Sequence, residues 1–326
     1  MNEYQRSSVI AKYIEGLLNE KRANGFSYST EELILNRFDR YCIENNLETT
    51  AITREFLAEW MLRREEEGSY QQAKRISAVR QLLLYMTSYG LSEYIPSDFT
   101  HTEKILPHIF APEELSEFFG VLDDYKPVNR PKYEFRLHEE YRLLFRVYLC
   151  CGVRNSEACG IKAEQVDLDH GVLTILGSKG DKDRLVYMPE DLSEDCRQYH
   201  SWLIGCLGYE PEWFFPGRKP ERPLSNSDVA AVFNRFWKKT RYADCNNKPT
   251  VHDFRFTFVV NRINAWAEEQ VDLKVMMPYL QRYLGHKTED NTMYYYYLVQ
   301  DAYKTVQKKD SMAAVIPEVK GEEYPV

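Results

Sequence analysis

The amino-acid sequence predicts a mainly α-helical protein with one small β-sheet or hairpin, organised as a helical N-terminal domain followed by a mixed α+β domain. Apolar residues recur at helical spacing along most of the 326 residues. That period gives way after Gly171 to two β-rich runs around a loop of Gly, Ser, Lys and Asp. A polar, proline-bearing stretch near residue 100 separates the two differently patterned parts.

In the first domain, assigned to residues 1–95, helices are expected around residues 9–18, 33–42, 56–62 and 76–86, where apolar side chains share a face. Asn46, Gly68 and Gly90 punctuate these segments, and Ser29-Thr30 ahead of Glu31-Glu32 has the form of a helix N-terminus. A linker over residues 96–110 carries Pro96, Ser97, Asp98, Thr100, Thr102 and Pro107. The second domain, residues 111–308, opens with helices near 112–122 and 139–151. Strand runs at 172–176 and 185–189 then flank the loop 177–183, a hairpin pattern. Helical spacing returns at 227–237, 254–269 and 275–284, and residues 309–326 read as a tail that mixes Val315, Ile316 and Val319 with charges and prolines.

Composition narrows the function classes. The longest mostly apolar stretch, residues 143–153, is interrupted by Arg146 and is too short to cross a bilayer, and the N-terminus lacks a signal-peptide pattern, so a cytoplasmic location is expected. Seven scattered cysteines without a Cys-x-x-Cys pair argue against a disulfide framework or a zinc ribbon. A net charge of −8 is unusual for a protein that neutralises phosphates. Distribution matters more than the sum, however. From Ser69 to Ser92 the chain carries Lys74, Arg75 and Arg80 and no Asp or Glu, directly after Glu65-Glu66-Glu67. These three cations are the expected DNA contacts of the first domain, provided that the acidic residues lie on other faces; the plain reading is a solvated basic helix face.

Four segments hold polar groups that core packing does not explain. Arg154 stands between an apolar helix and a second helix that Asn155 or Ser156 is placed to cap. Lys179 lies at the hairpin tip. His252 and Arg255 are one helical turn apart and so share a face. Gly285-His286 is followed by Thr292 and the run Tyr294 to Tyr297. Each alone reads as a surface salt bridge, a solvated turn, a cap or a half-buried aromatic face. Their order along one chain is what carries information.

The series Arg, Lys, His-x-x-Arg, Gly-His, Tyr resembles the catalytic domain of tyrosine recombinases of the phage integrase type, over roughly residues 111–298. The family's Gly-x-Arg-x-Ser-Glu segment matches Gly152 to Glu157 and identifies Arg154. Its hairpin Lys corresponds to Lys179, with Lys182 as the alternative, and its His-x-x-Arg to His252 and Arg255. The next family positions are usually His, Ser or Thr, and Phe; this chain has Phe256, Thr257 and Phe258, so the second His is absent. The family nucleophile follows the Gly-His histidine by nine residues, which lands on Tyr295, with Thr292 three residues before it; Tyr294, Tyr296 and Tyr297 stay open as alternatives. The first domain is similar to the family's core-binding domain.

The resemblance implies a recombinase whose Tyr295 hydroxyl attacks a DNA phosphodiester, giving a 3′-phosphotyrosyl enzyme and a free 5′ hydroxyl. Charge grows on two nonbridging oxygens, and the paired donors of Arg154 and Arg255 suit it. Lys179 would protonate the leaving oxygen, His252 would accept the tyrosine proton or hold the phosphate, and His286 would donate to a phosphate oxygen. Because the phosphotyrosyl ester keeps the energy of the broken bond, neither ATP, metal nor other cofactor is expected. Implied partners are double-stranded DNA bearing specific sites, clamped between the two domains, and further copies of the chain in a tetramer that exchanges C-terminal segments, with accessory DNA-bending or partner recombinase proteins. An integrase or transposase of a mobile element is the expected role. A type IB topoisomerase, a DNA-binding protein of this fold that no longer cleaves, and a helical scaffold are the rival readings.

Overall fold

The computed structural model describes residues 4–65, 67–91, 94–97, 106–127, 131–178, 182–245 and 248–285. The chain divides into two compact units, Met1–Ile105 and Leu106–Val326.

The first unit is built from α1 (Ala11–Ala23), α2 (Ser29–Glu44), α3 (Arg54–Met61) and α4 (Ser69–Thr87). Helix α2 begins at the predicted Ser29, and Thr53 caps α3 by accepting from the Phe56 N–H. Each helix contributes its apolar face to one core, with Leu17, Leu35, Phe38, Leu57, Trp60, Leu82 and Met86 buried. Asp39 is fully buried, and the N-terminal segment satisfies it: the Tyr4 and Ser8 hydroxyls and the Ser7 and Ser8 N–H groups all donate to its side-chain oxygens. Tyr94 and Ile95 also pack on this core, and Pro96 is buried. The start of the expected linker is therefore anchored, because two apolar side chains precede its polar run.

The cations of α4 do not form a common outward face. Arg75 is buried at 4% exposure, where its guanidinium donates to Glu67 Oε1 and Oε2 at 2.7 and 2.6 Å and to the carbonyls of Trp60 and Leu62. It ties the α3–α4 turn together. The expectation of Arg75 as a DNA contact is corrected: Glu67 lies on the same face rather than another one, and the Arg75 guanidinium is spent on it and on two carbonyls. Arg80 is partly committed too, donating from Nε to the Pro96 carbonyl at 3.0 Å. Lys74 stays at the surface beside Glu31, at 3.7 Å.

The second unit runs α5 (Pro112–Asp124), α6 (Lys132–Cys151), α7 (Asn155–Cys159), β1 (Val166–Asp167), β2 (Val172–Ser178), β3 (Lys182–Tyr187), α8 (Glu190–Leu207), α9 (Asn226–Trp237), α10 (Val251–Glu268) and α11 (Leu273–Leu284). The strands form one antiparallel sheet in the order β1-β2-β3. Residue pairing runs from Val172 with Tyr187 to Ile175 with Arg184, then breaks register before Ser178 meets Lys182. Helix α8 was not anticipated, although Leu192, Cys196, Tyr199 and Leu203 bury at helical spacing.

A cluster of rings, Phe110, Phe118, Phe145, Phe233, Trp237 and Phe254, joins α5, α6, α9 and α10 into one core. Each such ring contributes about 1.5–3 kcal/mol by leaving water. Helix α10 packs against α6, α9 and α11. It is therefore buried on most sides, in keeping with its weak amphipathicity. Polar residues on such a helix must be satisfied by protein, and that constraint places the candidate site.

Candidate active site

Helix α6 stops at Gly152, which adopts φ +60° and closes the helix through its N–H to the Tyr148 carbonyl. A side chain there is doubly excluded, by the left-handed backbone and by the Phe258 ring against which a Cβ would collide. The chain then turns through buried Val153 into Arg154, the residue that precedes α7. The expected caps of α7, Asn155 and Ser156, do not act as such. Glu157 accepts from the Arg154 N–H at 2.9 Å instead, while Asn155 accepts from the Tyr148 hydroxyl and donates to the Asn226 carbonyl.

Helix α10 brings Arg255 beneath this turn. Its guanidinium, at 1% exposure, donates to the Gly152 carbonyl and to the Leu284 carbonyl, both at 2.7 Å. Arg154 donates from Nη1 to Glu157 at 2.6 Å and from Nη2 to the Gly285 carbonyl at 3.1 Å. Two arginines far apart in sequence thus anchor to successive carbonyls at the C-terminal end of α11, where the helix dipole favours cations. The Tyr283 hydroxyl donates to the Cys151 carbonyl at 3.1 Å and holds α11 against the end of α6.

Glu157 gathers the charges. It takes a second guanidinium from β3: Arg184 donates from Nη1 and Nη2 to the two carboxylate oxygens at 3.0 and 2.7 Å, and from Nε to the Tyr283 carbonyl at 2.7 Å. Burial opposes ionisation of Glu157, but the Arg184 and Arg154 hydrogen bonds outweigh it and hold the carboxyl down at about 2. His252 keeps an exposed edge beside this cluster. Loss of part of its hydration, then the positive charges of Arg255 and Arg154, push its pKa below the usual 6.5, leaving a neutral imidazole at pH 7. A cavity of about 390 Å³ opens beside Arg154, lined also by Ser156, Thr174, Leu176 and Gly177.

Three guanidiniums, one carboxylate and a neutral imidazole converge here, an arrangement suited to an anion that gains charge during reaction. Residues 126–301, more than half of the chain, match the model of the phage integrase family. The chain belongs to that family.

Relatives of the tyrosine recombinase family extend along nearly the whole chain. The tyrosine recombinase XerD of Proteus mirabilis is 22% identical over 317 residues, covering 94% of each protein. A tyrosine recombinase of Pseudothermotoga lettingae is 21% identical over 312 residues, covering 92% of this chain and 97% of the relative. Among solved structures, the Tn1549 transposon integrase in complex with transposon right end DNA shares the fold, with a TM-score of 0.64 at 16% identity over 93% of this chain and 99% of its own.

Of the tyrosine recombinase pattern, the structure brings together Arg154, His252 and Arg255. Lys179, His286, Thr292 and Tyr294 to Tyr297, with Tyr295 among them, lie outside the described residues. The backbone of Lys182 belongs to β3, opposite Ser178. Phe256, at the position where the family usually carries His, presents its ring edge-on to His252 at 5.1 Å. Thr257 faces inward and accepts from the Phe110 N–H at 3.0 Å. Sequence reasoning missed Arg184 as a member of the site. The signal was its place two residues before Val186 on a strand, an inward position where a charged residue is rare without a partner.

Proposed function

We propose that the protein is a site-specific tyrosine recombinase that cleaves and rejoins DNA through a 3′-phosphotyrosyl intermediate. One observation carries this reading: Arg154 and Arg255, from two different helices, are fastened to the successive carbonyls of Gly285 and Leu284, directly before the Gly-His histidine His286. In this reading the two guanidiniums receive the nonbridging oxygens of the scissile phosphate: Arg154 keeps part of its surface and is open to it, while Arg255, at 1% exposure, meets the phosphate only as the site opens on DNA. Neutral His252 takes the tyrosine proton or holds the phosphate. Lys179 supplies the proton to the leaving 5′ oxygen, His286 donates to a phosphate oxygen, and Tyr295 is the nucleophile. Religation reverses these steps and needs neither ATP nor an added metal.

Double-stranded DNA with specific recombination sites is the proposed substrate, as the Tn1549 integrase in its structure is bound to transposon right end DNA. For the first unit, Lys74 remains a candidate phosphate contact, joined by Arg37 and Arg64, which line the same cavity of about 400 Å³. A homotetramer on two DNA sites, exchanging the 309–326 tail, is the proposed assembly. The proposed seat for the apolar side chains Val315, Ile316 and Val319 is a cavity of about 830 Å³ lined by Met188, Phe258, Trp266 and Leu280 together with the charged Asp183, Arg184, Arg262 and Arg282. Truncation after Lys309 should then abolish assembly on DNA while leaving single-site binding; a truncated chain that assembles and recombines normally removes the tail from the scheme. A mobile-element enzyme is the proposed role, on the acidic net charge of −8.

The test is covalent trapping on nicked or phosphorothiolate DNA from the element's own ends, without added metal. A protein–DNA adduct lost only in Tyr295→Phe supports the chemistry and the assignment. An adduct lost instead in Tyr294→Phe moves the nucleophile by one residue. No adduct on DNA that the protein binds favours a non-cleaving DNA-binding protein, and relaxation of supercoils without exchange of partners favours a type IB topoisomerase.

A further inference from the structure

We infer that Arg184 is a positioning residue for the cleavage site, setting the Arg154 guanidinium through Glu157 and fixing the end of α11 through Tyr283. The inference rests on the recombinase reading for what Arg154 does, and on the geometry for how it is held.

Arg184 sits on β3, two residues beyond Lys182, and is buried at 8% exposure. Three of its nitrogens are engaged: Nη1 and Nη2 on Glu157, and Nε on the Tyr283 carbonyl. The same two Glu157 oxygens also accept from Arg154, Oε1 from its Nη1 and Oε2 from its backbone N–H. The carboxylate is therefore shared between the guanidiniums, four donors on two oxygens, and Arg154 receives only one side-chain contact from it. This sharing leaves Arg154 Nη2 directed to the Gly285 carbonyl. Gly285 itself, at φ +66°, lies against Arg184, since a Cβ there would stand 3.3 Å from Nη1. A closed circuit results: β3 to α7 through Glu157, α7 to the end of α11 through Arg154, and α11 back to β3 through Tyr283.

Removing Arg184 frees two acceptor sites on Glu157. The nearest cation to claim them is Arg154, whose planar fork makes a two-point carboxylate pair its preferred geometry. Arg154 would then turn toward Glu157 and away from the phosphate. A lysine at 184 keeps the charge but, as a point donor, cannot span both carboxylate oxygens and the Tyr283 carbonyl together.

The experiment uses full-length protein with Arg184→Gln, Arg184→Lys and the double variant Arg184→Gln/Glu157→Gln. Three quantities are read: affinity for the DNA site, the single-turnover rate of adduct formation at saturating enzyme, and the Nε–Hε NMR signal of Arg154, assigned by its loss in Arg154→Lys. For Arg184→Gln, DNA affinity within about 3-fold of wild type and an adduct rate slowed on the order of 10²-fold are expected, the scale of a catalytic group displaced by about an ångström. The Arg154 signal should shift or broaden. The double variant, which removes the competing carboxylate, should recover part of the rate. Arg184→Lys, which retains the charge and so the better prospect of folding, should show the same changes in smaller degree. An unchanged Arg154 signal with an adduct rate within about 3-fold of wild type, in whichever single variant folds, overturns the inference. Absence of any adduct from the wild-type enzyme overturns the recombinase reading instead, and the Arg154 signal then still decides whether Arg184 positions it.

Discussion

Arg255 donates to the carbonyl oxygen of Gly152 at 2.7 Å, across 103 positions of sequence. This bond joins the buried middle of the unit to the turn that presents Arg154, and it depends on the left-handed conformation of Gly152. Substituting Gly152→Ala should therefore be costly twice over. The backbone term is about 1–2 kcal/mol, and crowding of Phe258 adds about 1–3 kcal/mol. Equilibrium urea denaturation should show a loss of about 2–5 kcal/mol, accompanied by weaker adduct formation because the Arg154 turn moves. Unchanged stability would mean that the turn relaxes around the methyl group.

Acid stability should depend on Glu157. Its pKa of about 2 in the folded protein lies below the ordinary 4.5. A depressed carboxylate contributes stability that is fully present above the unfolded value and is lost as pH falls through the folded one. The stability difference between wild type and Glu157→Gln should thus shrink between about pH 4.5 and pH 2, by an amount on the order of 3 kcal/mol. A difference that stays constant across this window would show that the carboxylate is not held by its two arginines.

His252 sets a second pH dependence, in the rate rather than the fold. Because its pKa is lowered from 6.5, it remains neutral at pH 7 and able to accept a proton. Single-turnover adduct formation should fall on the acid side with a midpoint below 6.5, and this limb should be missing from the slower His252→Gln enzyme. An identical acid limb in both proteins would assign the titration to another group. The same lowered pKa means that protonation favours the unfolded chain, so this residue's contribution to stability declines as pH drops below 6.5 toward its folded value.

Lys74 and Arg75 are adjacent in sequence and should behave as opposites. Arg75→Ala removes a buried guanidinium that holds the half-buried Glu67 carboxylate and the Trp60 and Leu62 carbonyls, and should cost about 1–3 kcal/mol in urea denaturation. Lys74→Ala should leave stability within about 0.5 kcal/mol and reduce the salt dependence of DNA binding by about one unit of slope. A reversal of the two patterns would return Arg75 to the DNA-facing surface.

Much of the helical architecture was legible from periodicity, since α2, α6, α9 and α11 each turn a distinct apolar face inward. The hairpin was legible as well, because the buried Leu173 and Ile175 alternate with less buried neighbours on β2. Helix α8 was overlooked although its apolar spacing is regular, and the caps of α7 were misassigned because Glu157 reaches back to the Arg154 N–H when Asn155 is drawn elsewhere. Of the site, Arg154, His252 and Arg255 could be singled out only through the order of residues along the chain; nothing local distinguished any one of them.

The sequence by itself determined the fold class, the family and the identity of the residues that carry charge, because helical period, strand alternation and ordered spacing are all properties of a linear chain. Tertiary structure alone decided which charges are available. Arg75 and Arg184 are both buried arginines paired to a carboxylate, yet one staples a turn while the other shares its carboxylate with Arg154. The reason is physical: a guanidinium's role is set by the acceptors that surround it, and those of Arg184 come from α7 and α11, segments 27 and 99 residues away in the chain.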